Sequence, residues 1–219
     1  MKTAYQKELD RLIEKLKEKN EVPELFLHSC CAPCSSYVLE YLSRYFSIHL
    51  FYYNPNISPE EEYHTRVEEQ KRLIASLPTE HPVTFEEGPY EPERFYQAVK
   101  GLEKEKEGGR RCEVCFRLRL EETAKRAAAS GFDFFTTTLS ISPLKDAQKL
   151  GMIGKELEQD YQIRYLPSDF KKKNGYKRSV ELSGEYGLYR QDYCGCIFSR
   201  REREDFLKSR QEPSKERID

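Results

Sequence analysis

Seven cysteines are the residues of this 219-residue chain with the most evident chemistry, and they fall into three short groups. The groups are Cys30, Cys31 and Cys34, then Cys112 and Cys115, and finally Cys194 and Cys196. The number is odd, the chain is long for a disulfide scaffold, and we expect no secretory leader, because no apolar stretch opens the sequence. The grouping therefore indicates metal ligands or redox centres rather than structural disulfides.

The first two groups together supply enough thiolates for a metal site. Cys30, Cys31 and Cys34 precede a predicted helix, whose unpaired N–H groups lower the pKa of nearby thiols. Cys112 and Cys115 have the CxxC spacing of half a zinc site or half an iron–sulfur site. Because the irons of a cluster are separated, adjacent Cys30 and Cys31 suit a cluster better than one small ion. An Fe–S cluster is favoured, and Zn²⁺ is the alternative.

The third group, Cys194-Gly195-Cys196, has the spacing of a redox pair. A disulfide between residues i and i+2 closes a small, strained ring that is easily reduced. Gly195 permits the unusual backbone dihedrals that such a ring requires. The pair is interpreted as a two-electron relay, and the alternative is that both thiols ligate a second metal together with Cys34.

Apolar periodicity predicts a parallel α/β sheet that brings two unusual segments together. The predicted strands cover residues 24–28, 47–53, 83–86, 133–139 and 163–166. The predicted helices cover residues 3–20, 35–46, 59–77, 92–106, 113–130 and 143–160. Residues 30–34 follow the first strand and residues 136–146 follow the fourth, so both are expected at the carboxyl rim, where such sheets bind ligands.

Other polar segments carry weaker signals. The loop at residues 140–146 contains hydroxyls, Lys145 and Asp146, which suit a ribose, a phosphate or a polar base, although a plain helix start is an equal alternative. Residues 164–190 interleave lysines and arginines with aromatic residues, a pattern that suits single-stranded RNA. His28 is interpreted as a structural strand-end histidine rather than a catalytic one. No GxxxxGK[ST] or GxGxxG motif is present, which disfavours ATP- or NAD-dependent chemistry.

Composition sets the remaining expectations. Hydrophobic residues make up 37% and charged residues 34% of the chain, as in a soluble protein with a charged exterior. No apolar run is long enough to span a bilayer, so we expect no membrane association and a cytoplasmic location. We divide the chain into an N-terminal helical extension at residues 1–22, one α/β catalytic domain at residues 23–207 and a charged, frayed tail at residues 208–219.

Five motifs in this order resemble epoxyqueuosine reductases of the QueH type, from about residue 25 to residue 199. They are CCAPCS at 30–35, FYYNPNI at 51–57, RCEVCFR at 111–117, TTTLSISP at 136–143 and YCGC at 193–196. The resemblance implies a Rossmann-like fold, similar to adenine-nucleotide α-hydrolases. It also implies reduction of the epoxide of epoxyqueuosine to queuosine at the wobble position of tRNA.

The resemblance further implies particular cofactors and residue roles. Cys30, Cys31, Cys112 and Cys115 would ligate a [4Fe–4S] cluster. Cys194 and Cys196 would be the redox-active pair, and Cys34 is the candidate ligand of a second, mononuclear metal. The partners would be tRNA and an external electron donor. Two other functions stay open: a zinc-stabilised RNA-binding module without catalysis, and a thiol-disulfide redox enzyme that does not act on tRNA.

Overall fold

The computed structural model describes residues 4–211 and confirms an α/β fold around one parallel sheet of five strands. The strands lie in the order β3-β2-β1-β4-β5, and every neighbouring pair is parallel. Their bounds are β1 Glu24–Ser29, β2 Ser47–Tyr52, β3 Val83–Glu87, β4 Phe134–Thr137 and β5 Arg164–Tyr165. The direction of chain progression reverses between β1 and β4, and such a switch point opens a crevice at the carboxyl ends of the strands.

Helices connect and cover the strands. They are α1 Tyr5–Lys19, α2 Ala32–Leu42, α3 Glu60–Ser76, α4 Pro92–Ala98, α5 Arg110–Ala129, α6 Ala147–Tyr161, α7 Gly175–Glu185 and α8 Ile197–Gln211. A short 3₁₀ turn, Thr138–Ile141, follows β4 directly. Within residues 4–211, none of the helices combines the length and apolar character that a bilayer span requires.

Both faces of the sheet are buried, because alternate residues of the central strand serve two different cores. Leu25 and Leu27 of β1 pack with side chains of α1, α2 and α3, whereas Phe26 packs with those of α5 and α6. A central strand that is covered on both faces reads as a continuous apolar run rather than as an alternating one. This burial explains the run Leu25-Phe-Leu27 in the sequence.

Several predicted boundaries are wrong, and the differences concern the rim. The second helix begins at Ala32 instead of residue 35, so Cys34 lies in its first turn. Helix α4 ends at Ala98 rather than near residue 106. Helix α6 begins at Ala147 instead of residue 143, because Asp146 caps it by accepting a hydrogen bond from the Gln148 N–H, 2.8 Å away. Helices α7 and α8 were not expected from periodicity.

Helix α1 packs into the same core as the strands. Leu9, Ile13 and Leu16 are buried within the core formed with α2 and α3. The ring of Tyr5 lies directly against Gly151 of α6, where an added Cβ would come within 2.2 Å of it. At the other end, α8 continues to Gln211, and residues 212–219 of the expected tail lie outside the described part of the chain. The domain limits at residues 22 and 207 stay a prediction.

Truncation of Leu9 to alanine is expected to destabilise the whole domain. Leu9 is fully buried, so the change leaves a cavity between α1 and the sheet and costs about 2–5 kcal/mol of unfolding free energy. Urea unfolding followed by circular dichroism measures the loss. Glu18→Ala, an exposed change on the same helix, is the matched control and should shift the free energy by less than about 0.5 kcal/mol. Equal midpoints for the two variants would show that α1 is dispensable for the core.

Candidate functional site

The site lies at the carboxyl ends of β1 and β4, the switch point of the sheet. Cys30 follows β1, and its N–H donates a hydrogen bond to Thr138 Oγ1 at 3.4 Å, in the turn that follows β4. The Cys30 Sγ lies 3.6 Å from the same oxygen. The structure therefore confirms that the two segments singled out in the sequence meet at one rim.

The first cysteine group forms a compact thiol cluster. The Sγ atoms of Cys30, Cys31 and Cys34 all lie within 4.8 Å of one another, with 3.9 Å between the first two. Beneath them Ser35 Oγ, 2.6 Å from Ser29 Oγ, donates to Gln70 Oε1 at 2.7 Å and ties the start of α2 to β1. Three sulfurs at this spacing can hold a metal ion.

The remaining four cysteines line a narrow cleft beside this cluster. They are Cys112, Cys115, Cys194 and Cys196. Cys194 also lines a larger, open cavity on the side of Cys30, Cys31 and Cys34. Cys115 and Cys196 are buried against Phe95 of α4. Burial raises the pKa of the Cys115 thiol to about 12, which Arg119 opposes.

The loop that carries Cys194 and Cys196 requires glycine between them. Gly195 has φ +120°, and a Cβ there would lie 2.8 Å from Arg66 Nη1. The Gly195 carbonyl accepts a hydrogen bond from the Ser58 N–H at 2.9 Å, and the Cys194 carbonyl accepts one from Arg66 at 3.3 Å. The conformation of the cysteine pair is thus fixed by the backbone and by α3.

Two buried arginines place positive charge among the sulfurs. Burial opposes the charge of Arg119, but the sulfurs of Cys115, Cys194 and Cys30, which carry negative charge when deprotonated, outweigh it and raise the pKa of the guanidinium. The Arg119 Nη2 atom has no hydrogen-bond partner among the described residues. Hydrogen bonds from Cys30 and Cys34, helped by Arg66, hold the pKa of the Cys31 thiol well below its usual value. Sequence reasoning missed both arginines, since neither stands in a recognisable motif.

His28 has a structural role, as its position at the end of a strand indicates. Its ring is fully buried, with Nδ1 2.8 Å from Thr137 Oγ1 and Nε2 3.0 Å from the Tyr53 carbonyl oxygen. Burial, and next the charge of Arg119, lower its pKa to about 3. A neutral histidine whose two ring nitrogens are both hydrogen-bonded is fixed in position. His28 is therefore better suited to stabilising the end of β1 than to transferring protons.

An open cavity of 680 Å³ lies above the sulfurs. Its lining includes Cys30, Cys34, Cys194, Lys145, Tyr176 and Phe206. The walls come from the loop between β4 and α6 and from the two helices that sequence periodicity did not indicate. Helix α8 is highly charged, and its contribution to the cavity follows only from tertiary packing.

The basic segment at residues 164–190 does not form one continuous surface, which corrects the sequence interpretation. Arg164 forms an ion pair with Asp133 at 3.6 Å, at the amino ends of β4 and β5 and so at the sheet edge opposite the cysteines. Lys173 pairs with Asp10 at 2.6 Å, and Arg178 pairs with Glu40 at 2.7 Å. These cations are neutralised within the protein, and only the part of the segment near Tyr176 and Arg190 reaches the cavity.

The fold and the site together define an α/β protein with a thiol-rich centre at the switch point of its sheet. Residues 25–202 match the model of the family described as epoxyqueuosine reductase QueH. The chain is similar to a protein named epoxyqueuosine reductase QueH from Streptococcus pyogenes serotype M1, with 42% identity over 90% of this chain and 78% of the relative. It is also similar to a protein of the same name from Staphylococcus epidermidis, with 43% identity over 90% of this chain and 85% of the relative. The relative of that name from Thermotoga maritima is 36% identical over 83% of this chain and 92% of its own. The chain belongs to the QueH family, and it is an oxidoreductase.

Proposed function

We propose that this chain reduces epoxyqueuosine to queuosine at the wobble position of tRNA anticodons, in the cytoplasm. The observation that carries the proposal is an open cavity lined by four free thiols and two buried arginines, in a chain of this family. The other three thiols line the narrow cleft, which shares Cys194 and Arg119 with the cavity. In the reaction the epoxide accepts two electrons and two protons, both C–O bonds break, a C=C bond forms, and the oxygen leaves as water. An external electron donor supplies the electrons.

We propose Cys30, Cys31, Cys112 and Cys115 as ligands of a [4Fe–4S] cluster. The donor set fits such a group, because soft thiolates are its usual ligands and the buried Arg119 guanidinium offsets the negative charge of the sulfurs. When bound, the cluster supplies electrons one at a time. Hydrogen bonds from Cys30 and Cys34, helped by Arg66, lower the pKa of the Cys31 thiol, and the N–H of Gly108 donates a hydrogen bond to Cys112 Sγ at 3.2 Å.

Cys194 and Cys196 are proposed as the redox-active pair, and Cys34 as a ligand of a second, mononuclear metal. Cys194 faces both the cleft and the cavity, so a pair at this position adjoins the bound base as well as the other sulfurs. Cys34 shares its cluster with two of the proposed Fe–S ligands and points the same way. The pair stores two electrons as two thiols.

The mouth of the cavity is suited to an unstacked RNA loop. Phe206 of α8 is half exposed, and the guanidinium carbons of Arg203 and Arg210 each lie 5.5 Å from its ring centre. Tyr176 of α7 is exposed on another wall. Aromatic faces stack unpaired bases while arginines contact phosphates, which favours tRNA as the occupant.

Phe206→Ala and Tyr176→Ala are each expected to weaken tRNA binding. Loss of one base-stacking face costs about 1–3 kcal/mol, or roughly five- to 150-fold in Kd. Anaerobic fluorescence anisotropy with labelled tRNA measures the change. The control is Tyr96→Ala, which removes an equally exposed ring on α4 that does not line the cavity. Equal affinities for all three variants would place the RNA elsewhere.

One experiment tests the function as a whole. The protein is purified anaerobically, its iron and sulfide are measured, and it is incubated with a one-electron donor and tRNA carrying epoxyqueuosine. Formation of queuosine supports the proposal. Zinc without labile sulfide and without turnover indicates an RNA-binding module instead, and reduction of disulfide substrates without dependence on tRNA indicates a thiol-disulfide enzyme.

A further inference from the structure

Lys145 is a charged side chain in the cavity that the proposed roles do not use. It lies between the 3₁₀ turn and α6 and lines the cavity together with Cys30, Cys34 and Cys194. Among residues 4–211 its ammonium group has no hydrogen-bond or ion-pair partner. Neighbouring lysines differ, because Lys149 pairs with Glu113 and Lys171 pairs with Asp169 at 2.9 Å.

Two of the three carboxylates that line the cavity are paired with arginines, Asp192 with Arg203 at 2.9 Å and Glu202 with Arg111 at 2.9 Å. The third, Glu107, forms no ion pair with Lys145 in the described part of the chain. Asp146, next to Lys145 in the chain, caps α6. Burial opposes the charge of Lys145, but the sulfurs of Cys194, Cys30 and Cys34 favour it and raise its pKa. A lysine is ordinarily an ammonium at neutral pH, and this one lines the cavity without a partner among the described residues, so its hydrogen-bond donors are available for a ligand.

The backbone of Lys145 is held in place by a second lysine. Lys171 Nζ donates hydrogen bonds to the carbonyl oxygens of Ser140 at 3.0 Å and of Lys145 at 3.3 Å. Lys171, one of the lysines of the basic segment at residues 164–190, thus holds this loop in place. A charged donor on a braced loop is preorganised, and preorganised donors stabilise negative charge that develops during a reaction.

We infer that Lys145 donates a hydrogen bond to the epoxide oxygen and stabilises the alkoxide that forms when the first C–O bond breaks. The inference rests on the proposed function. The electron pair of that bond stays on the oxygen, next to the ammonium, while the electrons that reduce the carbon come from the external one-electron carrier. Solvent supplies two protons, the second C–O bond breaks, and the oxygen leaves as water. Lys145 keeps its own proton throughout.

Lys145→Met tests the inference through turnover. Removal of one preorganised donor to a developing oxyanion lowers kcat by about 10²–10³-fold. The KM for tRNA carrying epoxyqueuosine should rise by no more than about tenfold, which is the part of the hydrogen bond already made to the bound epoxide. The iron content should not change. Lys145→Arg keeps the positive charge, so its kcat should be at least tenfold higher than that of Lys145→Met. Lys149→Met, one turn further along and paired with Glu113, is the matched control and should resemble the wild type. An unchanged kcat in Lys145→Met overturns the inference.

A binding measurement decides the question without turnover. The protein as purified, with no reductant added, is titrated with tRNA carrying either epoxyqueuosine or queuosine, which differ by the oxygen in question. The wild type should bind the epoxide form about tenfold more tightly, because a charged hydrogen bond to the oxygen is lost with queuosine. Lys145→Met should bind both equally. The inference is overturned if the wild type binds the two tRNAs with equal affinity, or if Lys145→Met lowers the affinity for both tRNAs alike. If the wild type binds the epoxide form more tightly but shows no turnover, the result counts against the proposed function alone.

Discussion

Cys31→Ser and Cys112→Ser are each expected to lose nearly all of the bound iron. A [4Fe–4S] cluster needs four thiolates, and a serine hydroxyl is a hard, weakly acidic donor that does not replace a soft thiolate. The wild type should carry about four irons per chain in the cluster, together with labile sulfide. Anaerobic iron and sulfide analysis, with the absorption spectrum near the visible charge-transfer bands, measures the loss. The two cysteines come from different groups, so the paired result tests whether both groups hold one cofactor.

Cys34→Ser is the informative control for this prediction. Its Sγ belongs to the same cluster of sulfurs as Cys31, yet it is assigned to a second metal rather than to the Fe–S cluster. The variant should keep the cluster iron and sulfide and lose at most one additional metal ion. If Cys34→Ser loses the sulfide while Cys112→Ser keeps it, the ligands are Cys30, Cys31 and Cys34 and the proposed set is wrong.

The location of the site was predictable because it depends on chain order. Cysteines directly after β1 and a polar segment directly after β4 must meet if the sheet is parallel, since the carboxyl ends of parallel strands share one edge. The hydrogen bond between Cys30 and Thr138 shows that meeting. Apolar strand segments flanked by amphipathic helices were sufficient evidence for the sheet.

The charges and walls of the site were not predictable in the same way. Arg66 and Arg119 lie within amphipathic helices, where an arginine is ordinarily solvated, and only packing shows that they point inward. Helix α8 has few apolar residues, so the hydrophobic periodicity that would predict a helix is weak. Its place in the cavity wall depends on how it packs in the folded protein. The lysines of the basic segment look alike in sequence, but Lys171 braces a loop and Lys173 pairs with Asp10. The sequence shows which residues are charged but not which residue each of them pairs with in the fold.

Cys194→Ser and Cys196→Ser are expected to separate electron transfer from cofactor assembly. Neither thiol is a proposed cluster ligand, so both variants should keep the iron, the sulfide and the affinity for tRNA. Turnover of epoxyqueuosine in tRNA should fall by roughly two orders of magnitude or more, or about 2.7 kcal/mol in the activation barrier, because the second electron has no store beside the substrate. Single-turnover assays under anaerobic conditions, with queuosine measured by mass spectrometry of the digested tRNA, quantify the loss.

Tyr193→Phe is the control for this pair, since it alters the same loop without removing a thiol. Its hydroxyl lies 3.5 Å from the Ser58 carbonyl, a weak contact whose loss should leave turnover nearly unchanged. Thiol counting on oxidised and reduced wild type should differ by two, and a ring closed between residues i and i+2 is reduced readily by ordinary dithiols. Both serine variants should abolish that difference. Loss of iron in either serine variant would instead show that these residues are metal ligands, and the relay would then have to lie elsewhere among the remaining thiols.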